Sequence, residues 1–408
     1  MTDPLSVLYY CGNWGLDLTK SEGYRVHVLK ILESLKEEGH RPFLLTVNDN
    51  PVLEGFEDYL CVPHRYMRGV HHLLPYTGTL DSFHMYRTAV RLNRKRRFDV
   101  IHERFGLYSY GSILASRALG IPIILEVNGP TIEEKVFSSE SITGMQLVIA
   151  CRIRDLCARY ATKIIVVSTT LKRFLLKHWK DIPDEKIVVM PNAADVKRLQ
   201  APGETGDLRR SLNLNGAFII GFLGTFQTWY GLENLIAAMP RVVEQIPSAR
   251  LLMVGDGQVR ESLRQQVKEL GLDDVVKFTG YVSHHEVPRY LSIFDVAVAA
   301  FRDIGMDFYG SPIKLFEYMA AGRTIVASRI GQIPEIVDHE KHAVLVEPGD
   351  VDQLSDAVIR LANDPALRAQ LAANAQIEGQ KYSWHAYAEQ LEDVYRTAIS
   401  EHRSHAGL

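Results

Sequence analysis

A chain of 408 residues is too long for one ordinary hydrophobic core, so two domains are expected. With 46% hydrophobic and 23% charged residues it reads as a folded soluble protein, and a formal net charge of −3 gives no reason to expect a nucleic-acid partner. The four cysteines, Cys11, Cys61, Cys151 and Cys157, form neither a C-x-x-C pair nor a zinc spacing, which suits unpaired thiols in a reducing compartment.

The chain opens on a short apolar run, Val7-Leu8-Tyr9-Tyr10, that stops at Gly12. No basic stretch followed by a long apolar one precedes it, so no secretory signal is read, and no segment approaches bilayer-spanning length. The protein is therefore expected in the cytoplasm, free or peripheral on the inner face of the membrane. Short apolar runs then alternate with amphipathic stretches, the pattern of parallel sheets with helical crossovers. The expected strands of the first half are Ser6–Cys11, Arg41–Val47, Tyr59–Val62, Asp99–Glu103, Pro122–Val127, Lys163–Ser168 and Lys186–Met190. A helix from about 24 to 38 carries Val28, Ile31, Leu32 and Leu35 at helical period and stops at Gly39.

Two further features of this half bear on partners. The run Arg91–Arg97 fits either a solvated helix end or a contact with anionic lipid. Leu73, Leu74 and Tyr76 could add an acceptor-binding or membrane-facing surface, whereas His71-His72 lacks the spacing of a helical metal site and is read as surface. The Gln200–Gly206 stretch, with Pro202, Gly203 and Gly206, reads as a linker.

The second half repeats the pattern with strands Phe218–Gly224, Ala249–Gly255, Val275–Gly280, Val296–Phe301, Thr324–Ser328 and Ala343–Val346. A helix near 258–270 places Val259, Leu263, Val267 and Leu270 on one face. Gly255-Asp256-Gly257 lacks the rest of a Gly-x-Gly-x-x-Gly fingerprint, which argues against a nicotinamide cofactor. His284-His285 is read as surface, like the earlier pair.

The most informative stretch is Ser311–Gly322. Ser311 is expected as N-cap, Pro312 as the first helical residue and Gly322 as the residue past the end. Lys314 then stands in the first turn, where an anion would be welcome, and Glu317 shares its face. Alone, the two residues would read first as a surface pair worth about 0.2–0.5 kcal/mol. Their position changes the weight, because ligands of open parallel sheets bind beyond the carboxyl ends of the strands. Those ends carry Gly224-Thr225, Gly255-Asp256, Gly280-Tyr281-Val282 and the 302–314 loop in the second half, and Gly12, Glu103-Arg104, Asn128-Gly129 and Asn192 in the first.

In order and spacing, these markers make the chain resemble a retaining glycosyltransferase of family 4. They include Phe98-Asp99-Val100-Ile101-His102, Met190-Pro191-Asn192, Phe222-Leu223-Gly224, Leu252-Met253-Val254-Gly255-Asp256-Gly257, Ser311–Gly322 and Pro334-Glu335-Ile336-Val337. The resemblance implies an α/β fold of the GT-B type: two facing Rossmann-like domains with parallel sheets and an interdomain cleft. It implies an acceptor domain over 1–199, joined by a C-terminal crossover helix at about 386–408, and a donor domain over 207–385.

Residue by residue, the resemblance implies that Glu317 holds the donor ribose. Lys314 and the backbone near Ile313 and Leu315 would contact the diphosphate, and the main chain at Tyr281 and Val282 would meet the base. Gly224, Thr225, Asp307, Tyr309 and Ser311 complete the expected donor site; Gly23, Glu103, Arg104, Glu126 and Asn128 form the expected acceptor site. Lys314, Glu317 and Asn128 are the expected catalytic residues.

Three departures from the family pattern stand at four positions. Tyr309 stands where a first glutamate is usual, with Asp303 and Asp307 as nearby substitutes; Thr225 and Tyr230 stand for a usual Arg and Lys; Asn128 stands for a usual histidine. Lys314 is left as the main phosphate cation, with Arg302 or Arg104 as aids. These departures resemble a subgroup active in bacterial surface-polysaccharide assembly.

The expected reaction moves a sugar from a nucleotide-diphosphate sugar to a hydroxyl of a glycan or lipid-linked acceptor, with no resident cofactor. No carboxylate pair spaced for double displacement is evident, so a front-face route is expected, and the lack of an Asp-x-Asp motif at a strand end points to metal independence. The rivals are a sugar-nucleotide epimerase on the same fold and a non-catalytic nucleotide-sugar-binding protein, the latter kept by Tyr309.

Overall fold

The computed structural model describes residues 3–12, 23–47, 57–62, 77–133, 144–201, 206–303, 305 and 307–406. The Gly23 loop, the His71-His72 pair with Leu73, Leu74 and Tyr76, and most of the 200–206 stretch lie outside these residues. The chain divides into two units, Met1–Pro191 with Trp384–Leu408, and Asn192–Ser383.

Unit 1 holds a seven-stranded sheet. Its strands are β1 (Ser6–Cys11), β2 (Arg41–Val47), β3 (Tyr59–Val62), β4 (Val100–Arg104), β5 (Ile123–Val127), β6 (Lys163–Val166) and β7 (Ile187–Val189), in the order β3-β2-β1-β4-β5-β6-β7. Every pairing is parallel. The helix Gly23–Glu37 follows β1 and buries Val28, Ile31, Leu32 and Leu35, the four positions its period selects. The closing helix Trp384–Ala406 belongs to this unit: Glu392 pairs with His40 at 3.2 Å and Glu401 with Lys163 at 2.7 Å.

Unit 2 holds a six-stranded parallel sheet of β8 (Phe218–Leu223), β9 (Ala249–Val254), β10 (Val276–Gly280), β11 (Val296–Ala299), β12 (Thr324–Ser328) and β13 (Val344–Val346). Their order is β10-β9-β8-β11-β12-β13. Alternate residues feed two cores. Ile219, Leu223, Leu252 and Ala297 face one; Ile220, Phe222, Leu251 and Val296 face the other. Covering both faces is why these strands read as unbroken apolar runs instead of alternating ones.

Both sheets are Rossmann-like and reverse direction beside their first strand, between β1 and β4 in unit 1 and between β8 and β11 in unit 2. Such switch points are where open parallel sheets place ligands. In unit 2 the strands splay there, with pairing confined to Val296↔Ile220 and Ala297↔Gly221. The Tyr318 hydroxyl fills the gap, accepting from the Leu223 N–H at 3.0 Å and donating to the Val298 carbonyl at 3.5 Å. That bridge seats the helix Ile313–Ala320 at the switch point.

Every strand expected from the sequence is present, with ends moved by a residue or two as fraying predicts. The unit boundary differs from the expected one. It falls at Pro191/Asn192, ahead of the 200–206 stretch, because residues 192–199 are bound into unit 2. Ala194, Val196 and Leu199 are buried in its core, and the Ala194 N–H donates to the Tyr382 carbonyl at 2.8 Å. Among the described residues no helix is long and apolar enough to cross a membrane.

Candidate functional site

In unit 2 the site is built on the helix Ile313–Ala320. Its start corrects the expected cap: Pro312 occupies the N-cap position, and the Ser311 hydroxyl instead accepts the Asn192 N–H at 2.9 Å. Asn192 Nδ2 also donates to the Ser311 carbonyl at 2.7 Å, so the Pro191-Asn192 corner fixes the approach to the helix. The end is as expected. Gly322, at φ +62°, donates to Met319, and Arg323 donates to Tyr318, closing the helix with a left-handed glycine.

Lys314 and Glu317 are both buried, 6% and 8% exposed. Lys314 Nζ lies 3.4 Å from the Tyr230 ring centroid and 3.9 Å from that of Phe222, and it has no hydrogen-bond partner among the described residues. Burial holds its pKa well below the usual lysine value, against the pull of Glu317. Burial likewise pushes Glu317 up to about 7, against Lys314 and Arg198. Burial thus disfavours the charged form of both groups, and a polar ligand would favour it.

Gly224, at φ +140°, brings backbone against this ammonium; a Cβ there would sit 3.0 Å from Lys314 Nζ. Its neighbour Thr225 is exposed. Of the other expected donor residues, Tyr281 is 63% exposed at the end of β10, Val282 is half-buried, Asp307 is exposed, and Tyr309 and Ile313 are half-buried. The Leu315 N–H donates to the Pro312 carbonyl at 3.0 Å, so a diphosphate would find the N–H groups one and two residues earlier, which have no intrahelical acceptor. Arg302, considered as an aid to Lys314, pairs with Glu233 at 3.3 Å.

His284, read as surface, keeps a side chain 40% exposed, but sequence reasoning missed its contacts with the site. The Arg198 guanidinium donates to its Nδ1 at 2.9 Å, which leaves the ring proton on Nε2. That nitrogen stands 3.8 Å from Glu317 Oε1. Only a fold that joins residues 86 apart in sequence reveals this contact.

Unit 1 gathers a second cluster at the carboxyl ends of β4 and β5. Glu126, 1% exposed, accepts from Tyr9 Oη at 2.7 Å, His102 Nε2 at 2.9 Å and Arg104 Nη1 at 2.8 Å. Asn128 Nδ2 also donates to it. Burial would raise the Glu126 carboxyl, but His27, Arg104 and the His102 donor hold it well below the usual carboxylate range. Arg104 also donates to His27 Nδ1 at 3.0 Å, and burial pushes His27 down to about 4.

Arg104, Glu126 and Asn128 therefore stand together, joined by Tyr9, His27 and His102, which the sequence did not single out. Glu103 does not join them. Strand alternation sends it to the other face of β4, where Ser109 and Ser112 donate to its carboxylate and burial raises it to about 7. Gly23 is the first residue of its helix. Among the described residues no group of three or more His, Cys, Asp or Glu side chains is arranged to hold a metal.

The chain is similar to known proteins over both units. Residues 22–198 match the model of the Glycosyltransferase Family 4 domain, and residues 205–378 match that of Glycosyl transferases group 1. Alpha-D-kanosaminyltransferase of Streptomyces kanamyceticus is 25% identical over 323 residues, 74% of this chain and 80% of the relative. A GDP-mannose-dependent alpha-(1-6)-phosphatidylinositol monomannoside mannosyltransferase of Mycobacterium tuberculosis is 30% identical over 219 residues, 52% of this chain and 57% of the relative. Among solved structures, Anabaena Alr3699/HepE in complex with UDP and glucose superposes with a TM-score of 0.73 at 20% identity, covering 96% of this chain and 99% of the other.

Proposed function

The chain belongs to the glycosyltransferases of the GT-B fold, with a family 4 domain followed by a group 1 domain, and on that premise we propose how it uses its two clusters. The donor is a nucleotide-diphosphate sugar held by unit 2. Lys314 and the first N–H groups of its helix meet the diphosphate, Glu317 accepts from the ribose hydroxyls, and Tyr281 and Val282 lie by the base. A single observation carries this reading: a buried ammonium without a hydrogen-bond partner among the described residues stands at the switch point, one helical turn from a buried carboxyl.

The chemistry follows from charge. As the glycosidic bond to the diphosphate breaks, negative charge grows on the leaving oxygens, and a fixed ammonium with oriented N–H donors stabilises it best in a low-dielectric site. The departing phosphate takes the acceptor proton on the same face, so the sugar keeps its anomeric configuration. No step requires a metal. A hydroxyl of a glycan or lipid-linked acceptor is the nucleophile, and Arg104, Glu126 and Asn128 of unit 1 are its proposed contacts. The phosphatidylinositol acceptor named for the mycobacterial relative, and the cations of the helix Thr77–Arg96, favour a lipid-linked acceptor reached from the membrane surface.

The test is a panel of nucleotide sugars read by thermal shift and then by transfer. GDP- and UDP-sugars come first, because a relative and a structural neighbour use those nucleotides. A donor that binds only the native state raises the melting temperature. A product of retained configuration, formed at an unchanged rate with chelator present, is expected. Inverted product or loss with chelator rejects the mechanism, and no shift across the panel rejects the donor site.

A further inference from the structure

The surroundings of Lys314 contain more than a diphosphate site needs. Its Nζ faces Tyr230 at 3.4 Å and Phe222 at 3.9 Å, and Phe301 stands 5.9 Å off. The rings brace one another: Phe222 and Tyr230 meet edge to face at 5.7 Å, and Tyr230 and Phe301 at 5.1 Å. Phe222 and Phe301 are fully buried.

A buried ammonium usually finds carboxylate or carbonyl acceptors. Any such acceptor would occupy N–H donors that a phosphate needs. Aromatic faces act differently: their quadrupole attracts positive charge without taking a directed hydrogen bond. Rings on these sides therefore favour the charged form while leaving the donors available. Gly224, with no side chain, adds backbone but no bulk beside the same nitrogen.

We infer that the faces of Tyr230 and Phe222, closed by Phe301, form a box that keeps Lys314 protonated and aimed, making both rings positioning residues for the donor diphosphate. The inference rests on the reading of Lys314 as the diphosphate cation. Among the described residues, the titratable groups around the box include Glu317 and Tyr318 on the same helix and Tyr230 from the segment after β8, with His284 and Arg198 behind Glu317. Burial works against the charged lysine, and the rings act in the opposite sense.

The experiment measures the affinity of the full chain for UDP, GDP and ADP by calorimetry, across pH. Tyr230→Leu should weaken the nucleotide that binds by about tenfold, the scale of a desolvated cation–π contact, while Tyr230→Phe keeps wild-type affinity. Exchange of Phe222 for mono-, di- and trifluorophenylalanine preserves shape but drains the ring quadrupole. Affinity should fall stepwise along that series, and the pH at which binding fades should move downward with it, since a weaker box deprotonates sooner. A flat series, or a loss in Tyr230→Phe equal to that in Tyr230→Leu, overturns the box while the donor reading stands. Wild-type affinity in Lys314→Ala overturns both.

Discussion

His284 turns one ring nitrogen to Arg198 at 2.9 Å and the other toward Glu317 at 3.8 Å, so an arginine fixes the tautomer that faces the carboxyl. Two residues from a separate part of unit 2 thereby face the group proposed to hold the donor ribose. The charge of Arg198 pulls the Glu317 pKa down against burial, which has raised it to about 7.

Nucleotide affinity should respond to that balance. A ribose hydroxyl donates best to the ionised carboxylate, so affinity is expected to rise as pH passes upward through about 7. Arg198→Ala removes a group that lowers this pKa, and the rise should move to higher pH. Calorimetric titrations with the cognate nucleoside diphosphate from pH 6 to 9 measure it. An unmoved profile in Arg198→Ala would remove the link.

Lys314→Met should separate function from stability. Turnover is expected to fall by about 100-fold or more, the scale of losing a main electrostatic stabiliser. The fold should gain, by about 1 kcal/mol, because a buried charge without a hydrogen-bond partner among the described residues gives way to an apolar side chain of similar length. The sign in pH is fixed too. The folded pKa lies below the unfolded one, so between them the unfolded chain binds more protons and wild-type stability climbs with pH. Urea melts at pH 7 and 10 should show that climb in the wild type and its loss in Lys314→Met. A destabilised variant would mark the lysine as structural.

Glu126→Gln should unfold unit 1 more easily, by about 3–5 kcal/mol, since it leaves the Arg104 guanidinium buried without its counter-charge. The wild-type contribution is present above the unfolded carboxyl pKa and fades as pH falls toward the depressed folded value. Chemical denaturation at pH 7, with acid titration of the wild type, reads both. A loss below 1 kcal/mol would contradict the buried pair.

Gly224→Ala tests the backbone beside the lysine. A φ of +140° is nearly closed to residues with a side chain, so about 1–3 kcal/mol of strain is expected in thermal melts. The new Cβ would also press on Lys314 Nζ and weaken nucleotide binding. Unchanged stability and affinity together would show that the turn adapts.

Much of this protein is written locally. Apolar runs of strand length, glycines at strand and helix ends and the period of Val28, Ile31, Leu32 and Leu35 depend on near neighbours, and they sufficed to find both sheets. Lys314 and Glu317 were legible for the same reason, being one helical turn apart beyond a strand end.

What the sequence could not determine is what surrounds those two side chains. Ser311 gave up its cap because Asn192 reached it from 119 residues away, His284 turned toward Glu317 where Arg198 held it, and three rings from two strand ends closed around one ammonium. Glu103 and Arg104, adjacent in sequence, parted to opposite faces of one strand. Local propensity acts through bonds and short turns, whereas burial, ion pairing and ring contacts act through space, and only the folded chain brings those partners within reach.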